Sequence, residues 1–150
     1  MVSVHNVISE YIDIIESNVS DPNEVRKTDG LRWVYDDIPY SVMGNKYPRI
    51  SVLSFGNPVE THEVGSNRQR VNVRIEIQIR VRRNKFNNKT PQDFLDDLSL
   101  EVMESLRKPE SKSSLLTECN IFQTILEAEN IIYEDDILIK QMIYKNVLVR

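Results

Sequence analysis

A chain of 150 residues with 28% charged and 40% hydrophobic residues has the make-up of one soluble globular domain over 1–150. Chains of this size bury roughly 68–70% of their unfolded surface, enough for a core without staples. The net charge of −4 implies no overall attraction to nucleic acid or anionic membrane, and one cysteine, Cys119, excludes an internal disulfide framework.

No apolar run approaches the roughly 18 residues of a membrane span. Met1 to Glu10 lacks the basic start and apolar stretch of a signal peptide, so no secretion is expected. The sequons at Asn18 and Asn88 are accordingly read as chance matches.

Val4, Val7, Ile8, Tyr11, Ile12 and Ile15 recur at three- and four-residue steps and predict a helix from Ser3 to Asn18, with Ser3 as N-cap. Its polar face is acidic, which suits packing on a sheet better than lying on a membrane. Asp21-Pro22-Asn23 and Thr28-Asp29-Gly30 are turn chemistry, with Arg26 and Lys27 between them. Leu31 to Tyr35 alternates as a short strand, and Asp36 to Lys46 reads as a loop containing Pro39 and Gly44. Asp36 and Asp37 lack the further oxygen donors of a metal loop and read as a solvated turn.

Tyr47 to Leu53 reads as a second strand, with Pro48 tolerated at its entrance. A long connection containing His62 and Gly65 runs to Asn67. The four glycines form no phosphate-cradling pattern, and His62 beside Glu63 has no second metal ligand at helical or strand spacing.

The plainest signal is VNVRIEIQIRV, Val71 to Val81, inside a strand predicted over 68–83. The strand period of two places Val71, Val73, Ile75, Ile77, Ile79 and Val81 on one dry face, and Asn72, Arg74, Glu76, Gln78 and Arg80 on the other. After a polar loop, Thr90 caps a helix, Pro91 takes its first position, and Asp93 answers as a weak capping box. Phe94, Leu95, Leu98, Val102, Met103 and Leu106 form its apolar stripe. Asp93, Asp97, Glu101 and Glu104 line an opposing acidic face, and Pro109 is read as the stop. This helix is expected to cross back over the dry face of the central strand.

Residues 114–128 fit both helix and strand, and periodicity does not arbitrate. Ile131 to Asp136 reads as an acidic turn. Ile137 to Arg150 reads as a long strand, apolar on both faces and asking for cover on both: a helix of its own chain on one side, a neighbouring subunit on the other. The expected fold is α+β: a mostly antiparallel sheet of four to five strands packed by two helices, in the order α-β-β-β-α-β-β.

Catalytic chemistry is not visible. Only His5 and His62 could serve a nucleophile, no CxxC, HExxH or EF-hand loop occurs, and the helix carboxylates lie opposite the core stripe, without the burial that tunes a catalytic acid. Cys119 reads as a small buried hydrophobe. No enzyme activity, metal or cofactor is expected. Charge is unevenly placed: Arg68, Arg70, Arg74, Arg80, Arg82 and Arg83 crowd the central strand against Glu76, while Asp93, Asp96, Asp97, Glu101 and Glu104 sit on the following helix. Such blocks suit contacts between elements or between copies, or stand as two solvated faces. A basic sheet that grips single strands interleaves aromatic platforms; Asn72, Glu76 and Gln78 stand here instead, leaving loose contact with DNA phosphates as the nucleic-acid reading.

The Tyr47-Pro48-Arg49-Ile50-Ser51-Val52 strand entrance, the alternating VNVRIEIQIRV, the helix opening Thr90-Pro91, the acidic turn and the long final strand together resemble the lambda-type tail terminator, or tail-completion, family of long-tailed bacteriophages and archaeal tailed viruses. The resemblance covers nearly the whole chain. It implies a structural virion protein, present in the host cytoplasm during assembly. Such proteins form a hexameric ring on the head-proximal end of the tail tube, end tube polymerisation and offer a joint to the head connector. The implied partners are other copies of the chain, the tail tube protein and a connector or neck protein, with non-specific contact to passing DNA and no membrane. Arg74, Glu76, Gln78, Arg80, Arg82 and Arg83 would then face the channel or a neighbouring subunit, with Arg74 and Arg80, or Arg82 and Arg83, meeting carboxylates of the Asp93, Asp97 and Glu101 helix across the joint. Competing readings are a head-completion or other neck-ring protein, a nucleic-acid-binding module using the arginine-rich sheet, and a small host enzyme or regulator.

Overall fold

The structure is a computed structural model describing residues 3–38, 47–62, 69–84 and 86–149, without the side chains of 59–62. Pro39, Gly44, Gly65 and Arg68, with much of the two connections that hold them, lie outside the described residues. The first helix, α1 (Val4–Asn18), begins as its sequence predicts: Ser3 Oγ accepts from the Asn6 amide, and Asn6 closes a reciprocal capping box. A second, short helix, α2 (Glu24–Asp29), fills the stretch between the two expected turns and takes in Thr28 and Asp29 of the second. Asn23 caps it, and Gly30 ends it at φ 70°, a left-handed conformation that glycine adopts without strain.

Strands β1 (Val34–Tyr35), β2 (Arg49–Ser54), β3 (Val59–His62) and β4 (Gln69–Arg82) follow. Then come α3 (Pro91–Arg107), α4 (Pro109–Cys119), β5 (Ile121–Glu134) and β6 (Ile137–Val149). The sheet runs β1-β2-β4-β6-β5, with β3 also paired to β4; the β1–β2 pair is parallel and the others are antiparallel. The α+β class and its mostly antiparallel sheet are as the patterns predict, with β3, α2 and α4 in addition. As predicted, α3 stops at Arg107, with Lys108 extended just before Pro109, but Pro109 also opens a new helix. It takes the first position of α4, where its missing N–H removes no bond. Asn120, left-handed at φ 57°, turns the chain out of α4 and into β5, dividing the ambiguous 114–128 stretch into helix then strand. Strand β5 runs on through the expected acidic turn, and the reversal takes only Asp135 and Asp136.

One helical layer covers one face of the sheet: α1 lies on β1 and β2, α3 on β4 and β6, and α4 against α1 and β5. The dry face of β4 is buried throughout, beneath Tyr11 and Ile15 of α1 and Leu95, Leu98 and Val102 of α3 within one core cluster. The face of β6 apolar toward the helices carries Leu138, Met142, Tyr144 and Leu148, all buried.

Two of the buried polar residues tie separate elements together. On the helix-covered face, Asn146 Oδ1 accepts from Tyr11 Oη at 2.5 Å and from Thr124 Oγ1 at 3.0 Å, and its Nδ2 donates to the Val73 carbonyl. Burial holds the Tyr11 hydroxyl above its ordinary pKa, so it stays a donor. The second is Arg26, 1% exposed, whose Nε and Nη2 reach Asp21 at 2.9 and 2.7 Å while Nη2 also donates to the Pro48 carbonyl. It ties α2 to the entrance of β2, beside the cis Tyr47–Pro48 bond.

Removing one partner of a buried ion pair strands the other charge. Asp21→Ala is expected to cost about 3 kcal/mol in urea unfolding. Asn146→Ala takes the acceptor from both the Tyr11 and Thr124 hydroxyls and is expected to cost about 3 kcal/mol, against about 1 kcal/mol for Tyr11→Phe, which leaves Thr124 on Asn146. Equal losses for the two variants would count against this network.

Candidate functional site on the outer sheet face

The sheet face away from the helices carries the residues singled out by charge. Strand register places Arg70, Asn72, Arg74, Glu76, Gln78, Arg80 and Arg82 of β4 there, between Arg49, Ser51 and Leu53 of β2 and Ile139, Gln141, Ile143, Lys145 and Val147 of β6. It is not the wet face that alternation suggests. Glu76 is only 8% exposed, and Ile139, Ile143 and Val147 are buried although they stand outside the main core cluster.

A continuous hydrogen-bond ladder crosses the face. Arg80 Nη2 donates to Gln78 Oε1 at 2.8 Å, and Gln78 Nε2 donates to Glu76 Oε1 at 2.6 Å. Gln141 Nε2 donates to the same Glu76 oxygen at 2.8 Å, and Asn130 Nδ2 to Gln141 Oε1 at 3.2 Å. The path leads from β4 over β6 to β5. Arg74 spans the same three strands to Glu127 at 2.9 Å, with both side chains about one-third exposed at 32% and 34%.

The predicted site residues therefore separate. Glu76, Gln78 and Arg80 form one internal network, and Arg74 is committed to Glu127. Arg82 lies over the Tyr47 ring and Arg83 over Tyr133, each 5.3 Å from the ring centroid. Asp93, Asp97 and Glu101 are exposed on α3, in the helical layer on the other side of the sheet. Within one copy the arginine face and the acidic helix do not meet, and Asp97 pairs instead with Lys89.

Sequence patterns missed Arg49 and Ser51. Register sets Arg49 directly opposite Arg80 and Ser51 opposite Gln78. Arg49 is 6% exposed and stacks over Tyr47 at 5.1 Å. Burial, with Arg80 nearby, holds its guanidinium below its ordinary pKa, while the Tyr47 side chain opposes that shift. Only the cross-strand register could have revealed the pairing.

Elsewhere, a groove of about 720 Å³ between α3, α4 and β5 has Leu106, Leu115 and Tyr144 among its walls and Arg107, Lys112 and Phe122 beside them. Burial pushes the Tyr144 hydroxyl up to about 12 and the Cys119 thiol up to about 11, the latter aided by Glu10 and Glu118. Cys119 touches the Asn6 carbonyl at 3.7 Å. Among the described residues, no three His, Cys, Asp or Glu side chains gather as a metal site, and no helix is long and apolar enough to cross a membrane.

The ladder and the rim should respond differently to truncation. Glu76→Ala leaves two part-buried amide donors, of Gln78 and Gln141, without their acceptor and is expected to lose about 2 kcal/mol. Arg74→Ala removes a partly exposed pair and is expected to lose under about 0.5 kcal/mol. Denaturant midpoints compare the two directly. No model of a known protein family and no curated protein matches this chain.

Proposed function

We propose that the chain is a structural virion protein of the tail terminator kind. It assembles as a ring at the head-proximal end of a viral tail tube, ends tube polymerisation and joins the tube to the head connector. The sequence resemblance supplies the identity of the assembly. The observation that supports self-association is the free edge of β5.

Strand β5 is 14 residues long and ends the sheet, paired only with β6 among the described residues. Monomeric proteins blunt such edges with shortness, bulges or charge, because unpaired N–H and C=O groups template another strand. Here the first half is bulged, with register shifts at Ile121/Gln123 and Leu126/Ala128, but Ala128 to Glu134 runs regularly. That half exposes Ile132 at 38% and Tyr133 at 60%. A neighbouring copy adding a strand here would satisfy the backbone and cover both side chains. A head-to-tail contact of this kind, repeated about an axis, closes a ring.

A hexamer in native mass spectra of the whole chain is the expected result. Ile132→Lys puts a charge on the regular half of the edge and is expected to abolish that oligomer while leaving the melting temperature of the fold nearly unchanged, since the side chain is already partly exposed. An oligomer undiminished in Ile132→Lys would remove β5 from the joint. Imaging of the neck of the assembled particle tests the placement on the tube and separates a terminator from a head-completion ring.

A further inference from the structure

We propose that Arg49, Ser51 and Arg80 form a binding site for a single oxyanion group, a carboxylate or a phosphate, at one end of the outer sheet face. Arg49 and Arg80 stand directly opposite each other on adjacent antiparallel strands. Like charges in that position repel. Nε of Arg49, Nε of Arg80 and Oγ of Ser51 are all buried and have no hydrogen-bond partner among the described residues.

Among the described residues, no carboxylate pairs with either cation. Arg80 donates to the neutral amide oxygen of Gln78, and the nearest carboxylate along the ladder, Glu76, already accepts from Gln78 and Gln141. Arg49 has the Tyr47 ring, which it shares with Arg82. A cation–π contact offsets part of the desolvation of one guanidinium, not of two facing each other. Buried charges are ordinarily paired, and guanidinium groups pair best with planar or tetrahedral oxyanions through charge-assisted hydrogen bonds. The depressed pKa of Arg49, caused first by burial and then by Arg80, is the strain such a ligand would relieve.

The site suits one protruding group and not a polymer. Arg49 is 94% removed from solvent, being 6% exposed, and a nucleic-acid backbone needs an open track of cations. The oxyanion has two sources of the same chemistry: a free ion such as phosphate, or an acidic side chain of another copy. The inference does not depend on ring assembly.

The test compares thermal unfolding and phosphate titration calorimetry of the whole chain with those of Arg49→Met and Arg80→Met. Wild type is expected to gain stability with sulfate or phosphate along a saturable curve, over chloride at matched ionic strength. Both variants should keep only the shallow, non-saturable gain that sulfate gives any protein. Phosphate affinity should fall about ten-fold or more in either variant. In chloride Arg49→Met should be no less stable than wild type, because it removes an uncompensated buried charge, and Arg80→Met should lose only what its bond to Gln78 contributes.

Equal saturable gains in wild type and Arg80→Met would overturn the proposal. So would single-stranded oligonucleotide binding that is steeply salt-dependent and lost in both variants, since that describes a polyanion track. If Arg49→Met does not fold, Arg80→Met and Arg80→Gln carry the same comparison. Native mass spectrometry distinguishes the sources: dissociation of oligomers by the Met variants and by added sulfate assigns the oxyanion to a neighbouring copy, and unchanged oligomers assign it to a free ion.

Discussion

The antiparallel ladder between β4 and β6, from Arg70 opposite Val149 to Arg82 opposite Ile137, is the constraint on which the rest of the molecule depends. Side chains alternate between faces, so this pairing commits half of each strand to the helix layer and half to the far side. A one-residue slip would invert both sets. The helix-covered face is apolar enough to fix the register, and α1 and α3 are placed where its branched side chains demand cover. The far face inherits whatever remains: arginines, glutamate and amides on β4, and isoleucine and valine on β6.

The two faces settle their polar groups differently. On the covered face Asn146 is fully enclosed, and each of its polar atoms finds a partner from a different element: Tyr11 on α1, Thr124 on β5 and the Val73 carbonyl on β4. That closed account anchors a helix, an edge strand and the sheet centre to one side chain. On the far face the centre is likewise closed, with Glu76 taking two amides. The end of the face near β2 is not closed, for among the described residues Arg49 and Arg80 stand opposite each other there with no acid paired to either. A low local dielectric strengthens satisfied networks and penalises incomplete ones, so the contrast between centre and end is where an external group has most to contribute.

What was legible in the sequence follows from which signals are local. The alternation of Val71 to Val81 and the stripes of α1 and α3 depend only on spacing along the chain, and the structure carries them as read. Arg26 looked like a turn residue because its burial depends on the Pro48 carbonyl, 22 residues on. Pro109 carries one meaning for the helix before it and another for the helix after, and only the first was read. Strand β5 resisted assignment because an edge strand with exposed Phe122, Ile125 and Tyr133 lacks the alternation that a half-buried strand imposes. Arg49 was legible as part of a strand entrance but not as the counterpart of Arg80, since register is a property of two strands and not of one.

The separation of charge bears on the symmetry of any assembly. The arginines lie on the far face of the sheet and the acidic residues of α3 in the layer on the other side, so one copy cannot bring them together. A two-fold contact centred on the Arg49–Arg80 end of the far face would set it against its own copy, adding repulsion to an already uncompensated pair. A contact between helical layers would oppose acid to acid. The arrangement that relieves both is head-to-tail, with the sheet face of one copy approaching the helical layer of the next. Such a contact is heterologous, and it either closes about an axis or grows without limit. Strand addition at the β5 edge is heterologous too, but it sets copies side by side, so it is an alternative to the face-to-layer contact rather than part of it.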